Sequence, residues 1–335
     1  MGDIISVSDL VLVYADGTKA VNGISFSVSE GEFFGFLGPN GAGKSTTIKV
    51  LTTLLRKTSG TVQIAGYSID HQQPEIRKLI GVEAQESVVD PDLTGRENMT
   101  LQGNLQQMKG EELKERVDEL LKLVELEQVA DKQAGRYSGG MKKRLQLASS
   151  LVHKPKLLFL DEPTTGLDPQ SRAGIWKYLE KLNRQEGITI FLTTQYLEEA
   201  DKLCGRLAII DFGSIVASGS PAELKRQVGA DTISLSLEGG GAGGEAAKAK
   251  RILSGVEGVA EVFDSDGGLT AHAKDASRLI AKVVRALDEG GVRLSSLNVS
   301  TPSLDDVFLQ HTGRRIRVEE LGRMPDRRFG GRRFR

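Results

Sequence analysis

Residues 38–46 read GPNGAGKST, a glycine-rich run between the apolar residues FFGFL (33–37) and the helix-like pattern TTIKVLTTLL (46–55). The run satisfies the spacing Gly-x4-Gly-Lys-Ser/Thr, in which glycines let backbone N–H groups curl around phosphate oxygens. Lys44 can bridge the outer phosphates, the Ser45 hydroxyl can ligate Mg²⁺, and the helix N-terminus adds a favourable dipole. The stretch therefore predicts a strand, a phosphate-binding loop and a helix.

Two adjacent carboxylates close a second apolar run, LLFLDEP (157–163). The C-terminal ends of strands are where open α/β sheets bind ligands. Successive side chains of a strand point to opposite faces, so Asp161 and Glu162 can take different tasks: one holds Mg²⁺ and its waters, and the other polarises an attacking water. A pair of solvated surface acids is the alternative, which the four preceding apolar residues disfavour.

A third element, YSGGMKKRLQLASSLVHKP (137–155), combines a serine, two glycines and an amphipathic pattern. It predicts a helix that begins after Ser138 and that Pro155 ends. The exposed N–H groups at such a helix start form an anion site. The first phosphate loop already accounts for one nucleotide, so this second site needs a second nucleotide or a second copy of the chain.

The remaining pattern alternates strands and helices, which indicates an α/β fold with buried parallel strands. Alternating hydrophobicity in residues 5–28 predicts a small antiparallel sheet with a hairpin turn at Asp16-Gly17. A helical block follows over about 86–150, in which Leu113, Val117 and Leu120 share one apolar face. The first domain is expected to span residues 1–228.

Glycines in EGGGAGGE (238–245) break the pattern. A small α+β domain, ferredoxin-like in its order of strand, helix, hairpin, helix and strand, is expected over 229–313. Ser303 would cap its last helix through the pattern Ser-x-x-Asp. The arginine-rich residues 314–335 are expected either to be solvated and disordered or to contact anionic lipid or an acidic partner.

Composition limits the classes of function. The 335 residues carry a formal net charge of −1, which gives no global attraction to nucleic acid or lipid. No apolar run reaches the length of a membrane span and the N-terminus lacks a signal-peptide pattern, so we expect a cytoplasmic protein. The single cysteine, Cys204, excludes an internal disulfide and predicts a packed thiol.

The order of these motifs resembles the ATP-binding cassette (ABC) ATPases, the nucleotide-binding subunits of ABC transporters. GPNGAGKS is similar to their Walker A motif, YSGGM to the signature motif, LLFLDE to Walker B and TTGLDP (164–169) to the D-loop. The resemblance covers about residues 4–225. It implies a P-loop cassette with a parallel core sheet, an antiparallel β subdomain and a helical subdomain, which binds Mg²⁺ and ATP and hydrolyses the ATP.

The resemblance also assigns residues to the nucleotide. Those that would bind ATP within one chain are Tyr14, Gly38, Asn40, Gly41, Ala42, Gly43, Lys44, Ser45 and Thr46. Tyr14 would lie under the adenine ring, although a hairpin tyrosine that simply packs is an alternative. Ser45, Asp161 and the Q-loop glutamine Gln85 would hold Mg²⁺, while Glu162 would be the general base.

The same resemblance implies a head-to-tail homodimer that sandwiches two ATP molecules. Ser138, Gly139 and Gly140 would bind the γ-phosphate held by the opposite subunit, and Asp168 would cross that interface. Gln85 would report to the membrane subunit, and the following segment, residues 86–99, would contact it. Pro91 and Gly95 predict a shaped loop there.

Gln195, in LTTQYLEEAD (192–201), occupies the switch position at which most of the family carries histidine. Histidine there hydrogen-bonds the γ-phosphate. Glutamine can still donate through its amide but cannot take up a proton near neutral pH. We therefore expect an ATPase whose turnover does not depend on pH through this residue. The alternative is a surface glutamine that takes no part in the reaction.

The glutamine variant resembles the daunorubicin-resistance type of drug-export ATPase. LDDVFLQHTG (304–313) is similar to a short motif that closes an appended domain in that branch, with Asp306 in place of a glutamate. The motif either helps assembly or packs within its own domain. The resemblance implies a subunit on the cytoplasmic face of the membrane that powers a separate permease. A soluble ATPase acting on DNA or ribosomes and a nucleotide-dependent regulatory protein are the alternatives.

Overall fold

The computed structural model describes residues 2–83, 88–229, 231–238, 244–265, 268–273 and 276–313. The chain divides into two compact units, and the boundary between residues 215 and 216 falls within a strand, β10. The strands of the first unit, in chain order, are β1 (Asp3–Val13), β2 (Lys19–Ser29), β3 (Phe33–Leu37), β4 (Ser59–Ile64), β5 (Tyr67–Ser68), β6 (Ile80–Glu83), β7 (Leu157–Asp161), β8 (Thr189–Thr194), β9 (Arg206–Asp211) and β10 (Ser214–Gly219).

Helices connect these strands. In chain order they are α1 (Lys44–Leu51), α2 (Gln73–Leu79), α3 (Gly95–Leu105), α4 (Gly110–Leu123), α5 (Gly139–Ser150), α6 (Pro169–Glu186) and α7 (Leu197–Leu203). Along α4 the predicted apolar face is buried, with Leu120 fully covered. Among the described helices of the chain, none combines the length and the apolar composition that crossing a membrane requires.

A six-stranded sheet in the order β10-β9-β3-β8-β7-β6 forms the centre of the first unit. The pairs β9-β3, β3-β8, β8-β7 and β7-β6 are parallel. Every residue of β3, β7 and β8 is buried, as expected for strands covered on both faces. The rings of Phe34, Phe36 and Phe159 lie 5.5 to 5.6 Å from that of Phe191 and fill this core. The predicted α/β class is confirmed.

A second, four-stranded sheet has the order β2-β1-β4-β5, and its β1-β2 and β1-β4 pairs are antiparallel. The turn between β1 and β2 contains Gly17 at φ +84, a left-handed conformation that glycine adopts without strain. The hairpin predicted at Asp16-Gly17 is present.

The second unit has the elements α8 (Pro221–Val228), β11 (Asp231–Leu237), α9 (Glu245–Ser254), β12 (Val259–Ser265), β13 (Gly268–Ala273), α10 (Ala276–Glu289), β14 (Leu294–Ser300) and α11 (Leu304–Thr312). The sheet order β12-β13-β11-β14 is that of a β-α-β-β-α-β ferredoxin-like fold. Ser303 caps α11, since its hydroxyl accepts from the backbone N–H of Asp306 at 3.2 Å while the Asp306 carboxylate accepts from Ser303 N at 2.9 Å.

Two local predictions are wrong. The helix that begins after Ser138 ends at Ser150 rather than at Pro155, and Lys154 already has the left-handed φ of +55. Gly95 was expected in a loop but opens α3, because Thr94 and Glu97 form a capping box around its first turn. The arginine-rich residues 314–335 lie outside the described residues.

Cys204 follows α7 and is buried, with 6% of its surface exposed. A Cβ added to Gly35 of β3 would lie 2.6 Å from the Cys204 sulfur, so the thiol fills the space that the glycine leaves. Burial raises the pKa of this thiol well above its usual value. Cys204 is therefore the packed thiol that the sequence predicted.

Candidate nucleotide-binding site

In the loop between β3 and α1, two glycines lie directly against neighbouring backbone. A Cβ on Gly38 would lie 2.4 Å from the Ile210 carbonyl oxygen. Gly43 has φ +105, and a Cβ there would lie 2.4 Å from the carbonyl oxygen of Ala20. Only glycine fits either position. The sequence pattern at 38–46 thus corresponds to a tightly wound turn at the N-terminus of α1.

Lys44 lies at the base of this loop with 4% of its surface exposed. Its ammonium group donates to the carbonyl oxygens of Gly38 at 2.8 Å and Pro39 at 3.0 Å, and it forms an ion pair with Glu162 Oε1 at 3.0 Å. A buried ammonium needs such partners to offset the loss of water. The structure therefore brings Lys44 and Glu162, which are distant in sequence, to one point.

Asp161 lies next to Ser45. The Ser45 hydroxyl donates to Asp161 Oδ1 at 3.1 Å, and the Thr193 hydroxyl donates to the same oxygen at 2.5 Å. Mg²⁺ prefers oxygen ligands and is usually held by one or two protein groups together with substrate phosphates and waters. The hydroxyl and carboxylate oxygens present here fit that requirement.

Glu162 is held rigidly beside this pair. It is 7% exposed and has φ +51, a strained conformation for a residue other than glycine. Its backbone N–H donates to Thr193 O at 3.1 Å, and the Thr165 hydroxyl donates to its Oε2 at 3.2 Å. Strained residues of this kind concentrate at functional sites, where the surrounding structure enforces them.

Gln195 follows β8 and is buried, with 4% of its surface exposed. It lines the same cleft as Glu162. Its Oε1 has no hydrogen-bond partner, although buried amide oxygens are normally satisfied. This burial excludes a surface glutamine. The unsatisfied atom is an oxygen, which accepts hydrogen bonds, so it suits a donor such as a water held in the cleft.

Tyr14 forms part of the wall of the cleft. The residue is 39% exposed, and its hydroxyl lies 3.0 Å from the Thr46 hydroxyl. This exposure favours a ring available to a ligand over a ring packed in a core. The cleft has a volume of about 910 Å³ and is lined by Tyr14, Thr18, Lys19, Ala20, Asn40, Gly41, Gly43, Lys44, Ser45, Thr46, Glu162, Thr165, Gln195, Phe212 and Gly213.

The signature residues lie elsewhere in the first unit. Ser138 caps α5 by accepting from the Met141 N–H at 3.3 Å, and together with Gly140 it lines a separate cavity of about 640 Å³. Among the described residues that line the nucleotide cleft, none comes from 138–140. Within one chain the structure therefore does not bring the signature motif to the phosphate loop.

Asp168 caps α6 close to the signature motif. It accepts from the backbone N–H of Ser171 at 3.0 Å and from the Ser171 hydroxyl at 2.6 Å, and these hydrogen bonds lower the pKa of its carboxyl group. A Cβ on Gly140 would lie 2.8 Å from the Ser171 hydroxyl oxygen, so the starts of α5 and α6 touch. Gln85 and Glu86 lie outside the described residues.

Two buried glutamates near the site were not recognised from the sequence. Glu199 of α7 is fully buried and accepts from Trp176 Nε1 at 2.8 Å and from the Thr164 hydroxyl at 2.9 Å; burial raises the pKa of its carboxyl group. Glu83 of β6 pairs with Lys143 of α5 at 2.9 Å, and burial raises its pKa to about 7. For Glu83, the signal in the sequence was an acidic residue at the end of the apolar run IGVE (80–83).

Comparison with known proteins identifies the family. The chain is 41% identical over 306 residues to the daunorubicin resistance ATP-binding protein DrrA2 of Streptomyces coeruleorubidus, and the match covers 90% of this chain and 93% of that protein. The chain belongs to the ATP-binding proteins of ABC transporters. As a member of that family it is an ATPase, and the predicted family and fold are confirmed.

Residues 21–165 of this ABC protein match the family described as ABC transporter, and residues 219–312 match the family described as ATP-binding protein DrrA1-3-like, C-terminal domain. The daunorubicin/doxorubicin resistance ATP-binding protein DrrA of Streptomyces peucetius is 42% identical, with 92% of each chain covered. The linearmycin resistance ATP-binding protein LnrL of Bacillus subtilis (strain 168) is 38% identical, with 89% of this chain and 94% of that protein covered.

Solved structures agree with this assignment. The structure of cbiO1 from Clostridium perfringens, part of the ABC transporter complex cbiONQ, has a TM-score of 0.63 and 31% identity and covers 68% of this chain and 95% of that one. The dimeric structure of the ATP-binding cassette MJ0796 bound to ADP and Pi has a TM-score of 0.59 and 28% identity and covers 64% of this chain and 98% of that one.

Proposed function

We propose that this chain is the ATP-hydrolysing subunit of an exporter and that it powers a separate membrane permease by ATP-dependent dimerisation. The observation that carries the proposal is the meeting of Lys44, Asp161 and Glu162 at one end of a cleft that Tyr14 lines. The exported substrate would be a drug-like or lipid-like compound, and relatives named for resistance to daunorubicin and to linearmycin support the drug-like class.

The charges of the site suit phosphoryl transfer to water, which needs positioning and charge stabilisation rather than covalent catalysis. ATP binding would make Lys44 exchange its Glu162 partner for phosphate oxygens, and this exchange leaves the Glu162 carboxylate able to orient an attacking water. Ser45 and Asp161 would hold Mg²⁺, which neutralises charge on the phosphate oxygens. Gln195 would donate its amide to the γ-phosphate.

A head-to-tail homodimer would complete the site. Ser138, Gly140 and Asp168 lie away from the nucleotide cleft of their own chain, and the two helix starts that carry them touch. Backbone N–H groups at a helix start attract phosphate. A second copy that faces the first would place these groups over the nucleotide, and the dimeric cassette bound to ADP and Pi supports this arrangement for the family.

The permease would bind the predicted segment, residues 86–99, and the rest of α3 beyond it. Val88, Leu101 and Leu105 are 69%, 47% and 68% exposed, and the two leucines are four residues apart on one face of the helix. Exposed apolar side chains that cluster on one element are typical of protein interfaces. Replacing Leu101 and Leu105 with glutamate should abolish transport while the purified subunit keeps its basal ATPase rate, whereas the exposed Val284→Glu control should keep both.

The proposal is tested by purification from the native host. A tagged chain should recover one stoichiometric polytopic membrane protein in mild detergent, and more of it with ATP. The isolated protein should hydrolyse ATP, and Glu162→Gln should slow turnover by about 100-fold or more, since positioned general bases contribute about that factor. Recovery of ribosomes or DNA-bound proteins, or equal rates for the parent and Glu162→Gln, would contradict it.

A further inference from the structure

The turn between β9 and β10 is fastened to the phosphate loop. The backbone N–H of Gly213 donates to the carbonyl oxygen of Ala42 at 3.0 Å, and the Gly213 carbonyl accepts from the Asn22 N–H at 2.8 Å. Gly213 has φ +76, and a Cβ there would lie 2.8 Å from the Ala20 carbonyl oxygen. The residue just before this anchored glycine is therefore fixed in position relative to the loop that would hold the phosphates.

That residue is Phe212, and its conformation is unusual. Phe212 is 75% exposed, the highest exposed fraction among the large hydrophobic residues that the structure describes. Its φ of +45 lies in the left-handed region, which favours glycine, asparagine and aspartate and strains an aromatic residue. Packing in the core does not account for so exposed an aromatic residue. The left-handed turn does not account for it either, because that conformation favours glycine, asparagine or aspartate over phenylalanine.

The position of the ring offers an explanation. Phe212 lines the same cleft as Tyr14, Asn40 and Gly41, and it reaches the cleft from β9 and β10 whereas Tyr14 reaches it from β1. The backbone of the phosphate loop and Lys44 provide for charged groups, so an apolar ring beside them suits the uncharged part of a nucleotide. Aromatic rings stack on bases and pack against the C–H face of a ribose.

We infer that Phe212 is a further nucleotide-contacting residue, whose ring forms an apolar wall for the nucleoside end of the bound nucleotide. The inference rests on the proposed role of the cleft as the ATP site. In this arrangement Phe212 and Tyr14 together would bind the nucleoside, and the loop between β3 and α1 would bind the phosphates. The experiment below distinguishes this role from one in which the ring packs on a second copy of the chain.

Phe212→Asn is the test variant because asparagine tolerates the left-handed φ and removes the ring without straining the turn. ADP binding to the purified protein, measured by calorimetry, should weaken about 3- to 10-fold, the range expected for the loss of one aromatic contact. Phe212→Tyr should retain the affinity of the parent. Leu54→Asn removes an apolar side chain that is 68% exposed and lies outside the residues lining the cleft, and it should change nothing.

Inorganic tripolyphosphate separates a nucleoside contact from a damaged loop. Its affinity should be the same for the parent and for Phe212→Asn, and an equal loss for ADP and tripolyphosphate would overturn the inference. Unchanged ADP binding together with weaker ATP-dependent dimerisation would also overturn it and would make Phe212 an interface residue. If the parent itself bound no ADP, the proposed function would fail, which is a different result from a parent and variant that bind ADP equally.

Discussion

Removal of the Lys143 ammonium group should destabilise the first unit strongly. The Lys143 and Glu83 side chains are 14% and 1% exposed, and their charged atoms lie 2.9 Å apart. Without Lys143 the buried Glu83 carboxyl, whose pKa burial already raises to about 7, would bind a proton near neutral pH instead of staying charged. At pH 9 the parent keeps the ion pair, so Lys143→Met should cost about 3 kcal/mol, the free energy of protonating Glu83 about two pH units above its pKa. For a unit of this size that loss corresponds to a fall of about 6 to 12 °C in the melting temperature.

The matched control removes both charges. Glu83 lies opposite Leu160 in the β6-β7 register, so Glu83→Leu places an apolar side chain among apolar neighbours. The double variant Glu83→Leu/Lys143→Met should melt near the parent temperature, since replacing a buried ion pair by packed apolar groups is often neutral. Calorimetry at pH 9, where Glu83 of the parent is ionised, measures all three proteins. A single Lys143→Met variant within about 2 °C of the parent, or a double variant as unstable as the single one, would refute the reasoning.

Three further outcomes are expected. Burial raises the folded-state pKa of Glu199, so its favourable contribution to stability is complete below the unfolded pKa of 4.5 and is lost as pH rises through the folded value. Glu199→Gln lacks this titration and should gain stability relative to the parent as pH rises above 4.5. A difference in melting temperature that stays constant with pH would contradict this. Gln195→Ala should slow ATP turnover, and Gln195→His should make turnover depend on pH near about 6.5, the ordinary histidine pKa; a rate for Gln195→Ala equal to the parent's would show that the amide takes no part. Gly43→Ala should abolish nucleotide binding because its Cβ would lie 2.4 Å from a backbone oxygen, whereas Gly174→Ala, with open space around its Cβ, should keep binding and stabilise α6 by about 0.5 to 1 kcal/mol.

The fold could be predicted from the sequence because its main signals are local. The continuous apolar runs of β3 and β7, the glycine spacing of the phosphate loop and the capping residue Ser303 each act within a few residues of one another. Local chemistry of this kind specifies where strands, turns and helix starts lie. The pairing of Asp161 with Ser45 was expected from the resemblance to the ABC ATPases, and in the structure the Ser45 hydroxyl donates to Asp161 Oδ1.

Contacts between distant segments were not predictable in the same way. Glu83 and Lys143 are sixty positions apart in the numbering, and nothing near either residue indicates that the other will cover it. Phe212 reads as an ordinary residue of a turn, and its exposure in the cleft depends on the hydrogen bond between Gly213 and Ala42. Such pairings follow from tertiary packing, which overrides local preference.

The burial of Cys204 has a practical consequence for spectroscopy. Its thiol is enclosed against Gly35, and its raised pKa keeps it protonated and therefore unreactive towards maleimides and spin labels. The native sequence is thus a suitable background for site-directed labelling without removal of the cysteine. A cysteine introduced at exposed Glu115 of α4, away from the nucleotide cleft and the signature motif, would be the position to react, so the separation of two labelled chains could be followed through the ATP cycle by paramagnetic distance measurement.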